Sequence, residues 1–295
     1  MSALLIGFSF GNKQVITNYG SMKGIDNDIV NMYNLMIDFM GIEDITIVTD
    51  FPKSQLKLKS KGLKVKSPKV KIVYNPEVNV KIFLKALYDF STQSKDMFIY
   101  ISSHGESMGI CEQTNYKSLI LDDDGKICMV PESVLYRIII EKNKDVEYNR
   151  LENGNNFVRR RVILDDDHDD RRFSSQNFKY FILVDTCNSK NLSHLPFILD
   201  GKNLNFSRYN GFIDDAVLCD KKPYGIALSV DSETNLSISS GSIVTNSIIL
   251  RMKSLNKNST IGELYKKVKE VIPKAVLTST SCNASSKIPL YEKID

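Results

Sequence analysis

Short apolar runs that stop abruptly on polar residues recur along this chain. Ala3 to Phe10, Asp44 to Thr49, Met97 to Ile101, Tyr180 to Val184, Tyr224 to Val230 and Val276 to Thr280 are the clearest. Their length and β-branched content predict strands, several buried on both faces. Between them, apolar residues recur at helical spacing. Ile29, Met32, Leu35, Met36, Phe39 and Met40 make one such stripe, with Asp26 or Asn27 as its cap and Gly41 as its stop. A second helix opens at Asn75-Pro76-Glu77 and runs to Phe90, with proline at its first position. Further helices are predicted over Val130 to Ile140 and Ile243 to Leu255. A capping box, Thr260-Ile-Gly-Glu263, starts the last, which reaches Ile272. Leu119 to Ile127 encloses an Asp-Gly turn and reads as a hairpin. Strand, helix and strand with short links form parallel βαβ units. The pattern predicts an α/β fold with a mostly parallel central sheet flanked by helices.

Two segments break the rhythm. Residues 51–73 form a basic insertion with eight lysines from Lys53 to Lys71, in which Leu56, Leu58, Leu63 and Val65 alternate with the lysines as in a half-exposed hairpin. Residues 144–177 read as a flexible charged loop carrying Arg159-Arg160-Arg161, the acidic run around His168, and Arg171-Arg172.

Composition narrows the class. Hydrophobic content of 42% and charged content of 25% are those of a globular protein, and a net charge of +4 by itself does not argue for nucleic acid. A nucleic-acid module built on Lys53 to Lys71 ranks last, because no aromatic residues interleave for base stacking. No apolar stretch approaches the roughly 20 residues of a membrane helix, so no membrane partner is expected. The first ten residues lack a basic n-region and read as a strand rather than a signal peptide. Cysteines 111, 128, 187, 219 and 282 are odd in number and make no C-x-x-C pair. That argues against a disulfide framework or zinc site and fits a reducing, cytoplasmic compartment.

The chemistry concentrates at two strand ends. The run Tyr180 to Val184 delivers Asp185-Thr186-Cys187, and the run Met97 to Ile101 delivers Ser102-Ser103-His104-Gly105. In open α/β sheets, ligands bind at the carboxyl edge of the strands. If the two strands are neighbours, an imidazole and a thiol face each other there, as a base and its nucleophile. A lone cysteine is more often packing than chemistry, and a lone histidine at a strand end is often structural; the pairing carries the functional reading. Asp185 lies two residues before Cys187, so both project to one face if the strand stays extended. Asp28 alone reads as a helix N-cap.

These motifs together resemble the metacaspases of the caspase-like cysteine peptidase clan, over Leu4 to Thr280. Gly24-Ile25-Asp26-Asn27-Asp28 stands where the family has Gly-Cys-x-Asn-Asp before its first helix. Ile101-Ser102-Ser103-His104-Gly105 stands at Tyr-Ser-Gly-His-Gly, and Asp185-Thr186-Cys187-Asn188-Ser189-Lys190 at Asp-Ser-Cys-His-Ser-Gly. Ala227 to Thr234, Gly241 to Thr245 and Thr260 to Val271 are similar to the family's small-subunit part. The resemblance implies one caspase-like domain over 1–295, with a large-subunit-like part (1–200) and a small-subunit-like part (201–295). It implies catalytic His104 and Cys187, an oxyanion hole from the N–H groups of Gly105 and Cys187, and an S1 pocket built on Asp28, Ser102 and Asp185. The substrates implied are proteins or peptides with Arg or Lys at P1, cleaved through a thioester. A monomer is expected.

The departures define the alternative. Ile25 replaces the family's cysteine, and Asn188 and Lys190 replace its His and Gly after the nucleophile. Many metacaspases need calcium, held by an acidic pair before a helix and by an Asp seven residues past the nucleophile. Here those positions are Pro131-Glu132 and His194, with Asp122, Asp123 and Asp124 nearby on the other side of the hairpin. Calcium prefers six to eight oxygen ligands, so no cofactor or metal is expected. The competing function is a catalytically impaired protein on the same fold, acting as a binding or regulatory module.

Overall fold

The computed structural model describes residues 1–11, 21–59, 64–111, 114–152, 156–164, 179–187, 192, 195, 197–199, 206–208, 224–230, 237–238, 240–255 and 259–280. In chain order, β1 (Ser2–Gly7), α1 (Ile25–Asn34), β2 (Asp44–Thr49), β3 (Lys69–Tyr74), α2 (Val80–Gln93) and β4 (Met97–Ser103) come first. There follow β5 (Gly105–Cys111), β6 (Thr114–Asp123), β7 (Lys126–Pro131), α3 (Glu132–Ile139), β8 (Asp145–Leu151) and β9 (Phe157–Ile163). Next are β10 (Lys179–Thr186), β11 (Phe197–Leu199), β12 (Phe206–Arg208), β13 (Tyr224–Val230), β14 (Ser237–Ile238) and β15 (Gly241–Ser242). Helices α4 (Ile243–Ser254) and α5 (Ile261–Val271) and strand β16 (Ala275–Ser279) complete it.

The central sheet has the order β12-β11-β16-β13-β10-β4-β1-β2-β3. From β13 to β3 every pairing is parallel, as the βαβ rhythm predicts; β16, β11 and β12 continue antiparallel. The period-2 alternation of strands sends Leu4 and Ile6 to one face and Ala3 and Leu5 to the other. Two buried apolar clusters result. One packs Leu4, Ile6, Ile99, Ile101, Ile182 and Val184 with residues of α2 and α3. The other packs Ala3, Leu5, Phe98, Tyr100 and Leu183 with residues of α1, α4 and α5. The strands are apolar on both faces because both faces are covered. Helix α1 comes very close to β1: a Cβ on Gly7 would sit 2.7 Å from Ile29 Cγ1.

Several sequence expectations are corrected. Helix α1 is capped by Gly24 at φ 82°, with no side-chain cap, so Asp26, Asn27 and Asp28 lie inside the helix and the N-cap reading of Asp28 fails. The stripe from Leu35 to Met40 is real but runs as a π-helical turn, closed by Gly41. Helix α2 starts later than Pro76: Asn79 is its cap, accepting from the N–H groups of Lys81 and Ile82, and Asn75 instead braces the preceding turn by hydrogen bonds to the backbone of Asn79.

Lys69 and Lys71 are not part of a surface hairpin. They lie on the edge strand β3, parallel to β2, while Leu56 and Val65 are buried and Leu63 is outside the described residues. Lysines on an exposed edge oppose pairing with another chain.

The largest miss is a second, five-stranded antiparallel sheet in the order β5-β6-β7-β8-β9. The Asp124-Gly125 turn joins β6 to β7 as predicted, with both residues at positive φ (53° and 84°). Residues 144–164, expected as flexible loop, contain the paired strands β8 and β9. The polar outer positions Glu147, Arg159, Arg160 and Arg161 hid the alternation. Residues 165–178, with the acidic run, His168 and Arg171-Arg172, are outside the described residues.

Candidate active site

Strands β4 and β10 are neighbours in register, with Ser102 opposite Asp185 and Ser103 opposite Thr186. One step beyond lie His104 and Cys187. Here the chain leaves the central sheet for the second: His104 is the single residue between β4 and β5, and its carbonyl accepts from the Ile120 N–H of β6 at 3.1 Å. His104 is thus anchored from both sheets. Both His104 and Cys187 are half-buried, and Cys187 is a free thiol. Gly105 lies against the Cys187 backbone: a Cβ there would fall 2.3 Å from the Cys187 carbonyl oxygen and 2.8 Å from Thr186 Oγ1. Only glycine allows that approach. The predicted residues His104, Gly105 and Cys187 are therefore brought together at one sheet edge.

Beneath them lies a carboxylate pair. Asp28 of α1 and Asp185 of β10 are 0% and 1% exposed. Asp28 accepts the Ser242 N–H with both oxygens, at 2.8 and 3.0 Å. Thr245 Oγ1 donates to Asp185 Oδ2, and the Tyr100 hydroxyl hydrogen-bonds Thr245 Oγ1 at 2.7 Å. Burial, and then the Asp185 charge, push the Asp28 carboxyl up to about 8. Burial also raises Asp185, against the hydrogen bonds of Ser242 and Thr245. Tyr100 is raised by burial and by both carboxylates, so its hydroxyl stays neutral. Ser102 is fully buried on the β4 strand that carries Tyr100.

Two buried like charges this close hold a proton near neutral pH unless an opposite charge arrives. The backbone that lies against Asp28 requires glycine: Gly241 has φ 109°, and a Cβ there would meet Asp28 Oδ1 at 2.4 Å. Thr245, Ser242 and Tyr100 were not singled out from the sequence. The segment Gly241 to Thr245 was noticed only as a helix start, and nothing in its own pattern ties it to a residue 214 positions earlier.

The buried pair sets a pH dependence. A carboxyl raised from about 3.9 to about 8 binds its proton more tightly in the folded state. It therefore costs stability as pH climbs from 4 to 8, at up to about 1.4 kcal/mol per pH unit, and no more above that. Asp28→Asn removes the titrating group. Thermal melts should show the variant gaining on wild type from pH 5 to pH 8, then running parallel to it. A pH-independent difference would mean that Asp28 is ionised throughout.

Several carboxylates near the hairpin hold protein partners. Asp123 is occupied by Arg150 Nη1 at 3.0 Å, the Tyr148 hydroxyl at 2.9 Å and Lys81 Nζ at 3.1 Å; burial opposes its charge, but these partners hold its carboxyl below the usual range. Asp122 is buried and accepts the Gly125 N–H at 3.1 Å. Glu132 accepts the Lys117 N–H at 2.5 Å, and His194 is outside the described residues. Among the described residues, no three His, Cys, Asp or Glu side chains converge as metal ligands.

No protein-family model matches the chain, and no curated protein matches its sequence. Among solved structures it is similar to protein GSU0716 from Geobacter sulfurreducens, with TM-score 0.56 at 9% identity, over 98% of this chain and 97% of that one. It is also similar to caspase-1 from Spodoptera frugiperda, with TM-score 0.46 at 11% identity, over 99% and 91%. At these identities the likeness concerns the fold. No helix among the described residues is long and apolar enough to cross a membrane.

Proposed function

We propose that this chain is a caspase-like cysteine endopeptidase of metacaspase type, cleaving after Arg or Lys through His104 and Cys187. The observation that carries the reading is the β4–β10 register. It brings the strand ends that lead into His104-Gly105 and Cys187 together at the carboxyl edge, with the buried Asp185 two residues before Cys187. In this reaction the Cys187 thiolate attacks the scissile carbonyl carbon, and the carbonyl electron pair moves to oxygen. The N–H groups of Gly105 and Cys187 receive that oxyanion. Collapse of the intermediate breaks the C–N bond, and the leaving amine takes the proton held by His104. A water deprotonated by His104 then attacks the thioester, releasing the carboxylic acid and restoring the thiol.

Asp28 and Asp185 are the S1 acids in this reading, and Ser102 belongs to the same pocket. A guanidinium or ammonium entering beside them neutralises the pair and meets charge-assisted hydrogen bonds. Protein or peptide substrates with a basic P1 residue follow, with the chain acting as a monomer in the cytoplasm. One observation favours the second reading, a catalytically silent regulatory or binding protein: the Gly241–Ser242 backbone closes directly on the Asp28 carboxylate.

The deciding experiment is hydrolysis of fluorogenic peptides differing only at P1. Arg-P1 and Lys-P1 peptides should be cleaved and Asp-P1 peptides left intact. Calcium independence is part of the proposal, since Glu132 alone would bind this ion only at about millimolar strength. Turnover in EDTA should therefore match turnover with added calcium. No cleavage of any basic-P1 peptide favours the silent reading. A steep rise at micromolar calcium would point to ligands among Asp122 to Asp124.

A further inference from the structure

Phe10 is a bulky residue in an unfavourable backbone conformation. Its φ is 59°, in the left-handed region that aromatic side chains rarely occupy, and it is buried. Such strain persists only where the surroundings enforce it, and it clusters at functional sites. The enforcing group is Asp50, just past the end of β2. Asp50 accepts from the Ser9 N–H at 2.9 Å, the Ser9 hydroxyl at 3.0 Å and the Phe10 N–H at 2.8 Å. It is 2% exposed, and its burial raises its carboxyl against those donors. The held turn sets the Phe10 ring against the His104 imidazole, centroids 5.0 Å apart and planes tilted by 56°.

We infer that Asp50, Ser9 and Phe10 form a positioning unit that fixes the His104 ring for proton exchange with Cys187. This deepens the peptidase reading and rests on it for its role in turnover. His104 leaves the sheet at a junction, with its backbone anchored by the Ile120 N–H and its ring against Phe10. An aromatic face 5.0 Å away supplies a wall without competing for the imidazole nitrogens. The left-handed turn, three residues past the end of β1, brings Phe10 against His104 at the end of β4. Asp50 replaces the ladder hydrogen bonds that the turn gives up. The roles are sequential: Asp50 holds the turn, the turn aims the ring, and the ring limits the imidazole.

The test compares Phe10→Leu, Phe10→Tyr and Asp50→Asn with wild type on an Arg-P1 peptide, each shown to be folded by its melting transition. Phe10→Leu should lower kcat about a hundredfold, the scale of a small misplacement of a catalytic group, with KM little changed. Phe10→Tyr keeps the ring and should restore kcat, and Asp50→Asn should fall between them. The second readout needs no turnover: the rate of Cys187 alkylation by iodoacetamide, followed on the Cys187 peptide by mass spectrometry. Phe10→Leu should slow it in the same direction as His104→Ala. If His104→Ala slows alkylation and folded Phe10→Leu does not, the unit does not position His104. Equal damage from Phe10→Leu and Phe10→Tyr also overturns the proposal, as does a loss confined to KM. Should Phe10→Leu not fold, Ser9→Ala and Asp50→Asn carry the same comparison, because they release the turn and keep the ring. If wild type cleaves no peptide but alkylation still depends on Phe10, the positioning stands and the peptidase reading falls.

Discussion

Cys187→Ala should abolish hydrolysis of an Arg-P1 peptide, lowering kcat by about 10⁴ to 10⁶, the range seen when a covalent nucleophile is removed. His104→Ala should fall nearly as far, and the double variant no further, because the two groups act on one proton and one bond. That non-additivity is the sharper part of the expectation. Two groups that contributed separately would multiply their losses; a dyad loses its function once. The structural basis is the register of β4 and β10, which carries His104 and Cys187 one residue past paired Ser103 and Thr186. The close approach of Gly105 to the Cys187 carbonyl leaves no room for a side chain between the two strand ends. The measurement is steady-state turnover of the three variants with active protein quantified by its melting transition. Full activity in Cys187→Ala would end the peptidase reading outright, and independent multiplicative losses would end the dyad.

Asp185→Asn should be the next most damaging change, and its damage should depend on the substrate. For Arg-P1 and Lys-P1 peptides, kcat/KM should drop by about 30-fold to several thousandfold, corresponding to the roughly 2–5 kcal/mol lost when one partner of a buried charge pair is removed. The Asn amide can still accept from Thr245 through its carbonyl oxygen, so the fold around Tyr100 and Thr245 should hold. The reactivity of Cys187 toward iodoacetamide should hold too, since the dyad is unchanged. A peptide with neutral P1 should lose far less. Asp28→Asn should act in the same direction on the same substrates, while improving stability at pH 8, because it removes the buried charge whose burial, and then repulsion by Asp185, raise the Asp28 carboxyl to about 8. A substitution that helps the resting protein and harms the reaction is the signature of a site held for a ligand. Equal losses for charged and neutral P1 would mean that Asp185 serves the structure alone.

The chain's own pattern carried much of this. The strands β1, β2, β4, β10, β13 and β16, the helices α1 to α5 in outline and the Asp124-Gly125 turn were legible because each has a local cause. Those causes are an apolar run, a 3.6-residue stripe, a capping box or a left-handed pair. His104, Gly105, Cys187 and Asp185 were legible as candidates because each ends a buried strand, and buried strands end where sheets expose their ligand edge.

What the sequence could not hold was everything set by contact across the fold. The second sheet was missed because β8 and β9 bury only part of one face and carry paired charges outward, such as Arg161 with Asp145 and Arg160 with Glu152. Alternation that weak is readable only once a neighbour supplies the pairing. By its own pattern Asp28 reads as a helix cap and only the resemblance pairs it with Asp185; its bond to the Ser242 N–H, 214 positions on, belongs to the tertiary fold. Phe10 looked like the last residue of a strand. Its left-handed turn follows from Asp50, 40 residues away, and its place beside His104 follows from the β1–β4 pairing. Local propensity is a property of neighbouring residues along the chain. The chemistry of this edge depends on residues that only the parallel crossovers bring together, and that distance decided what was hidden.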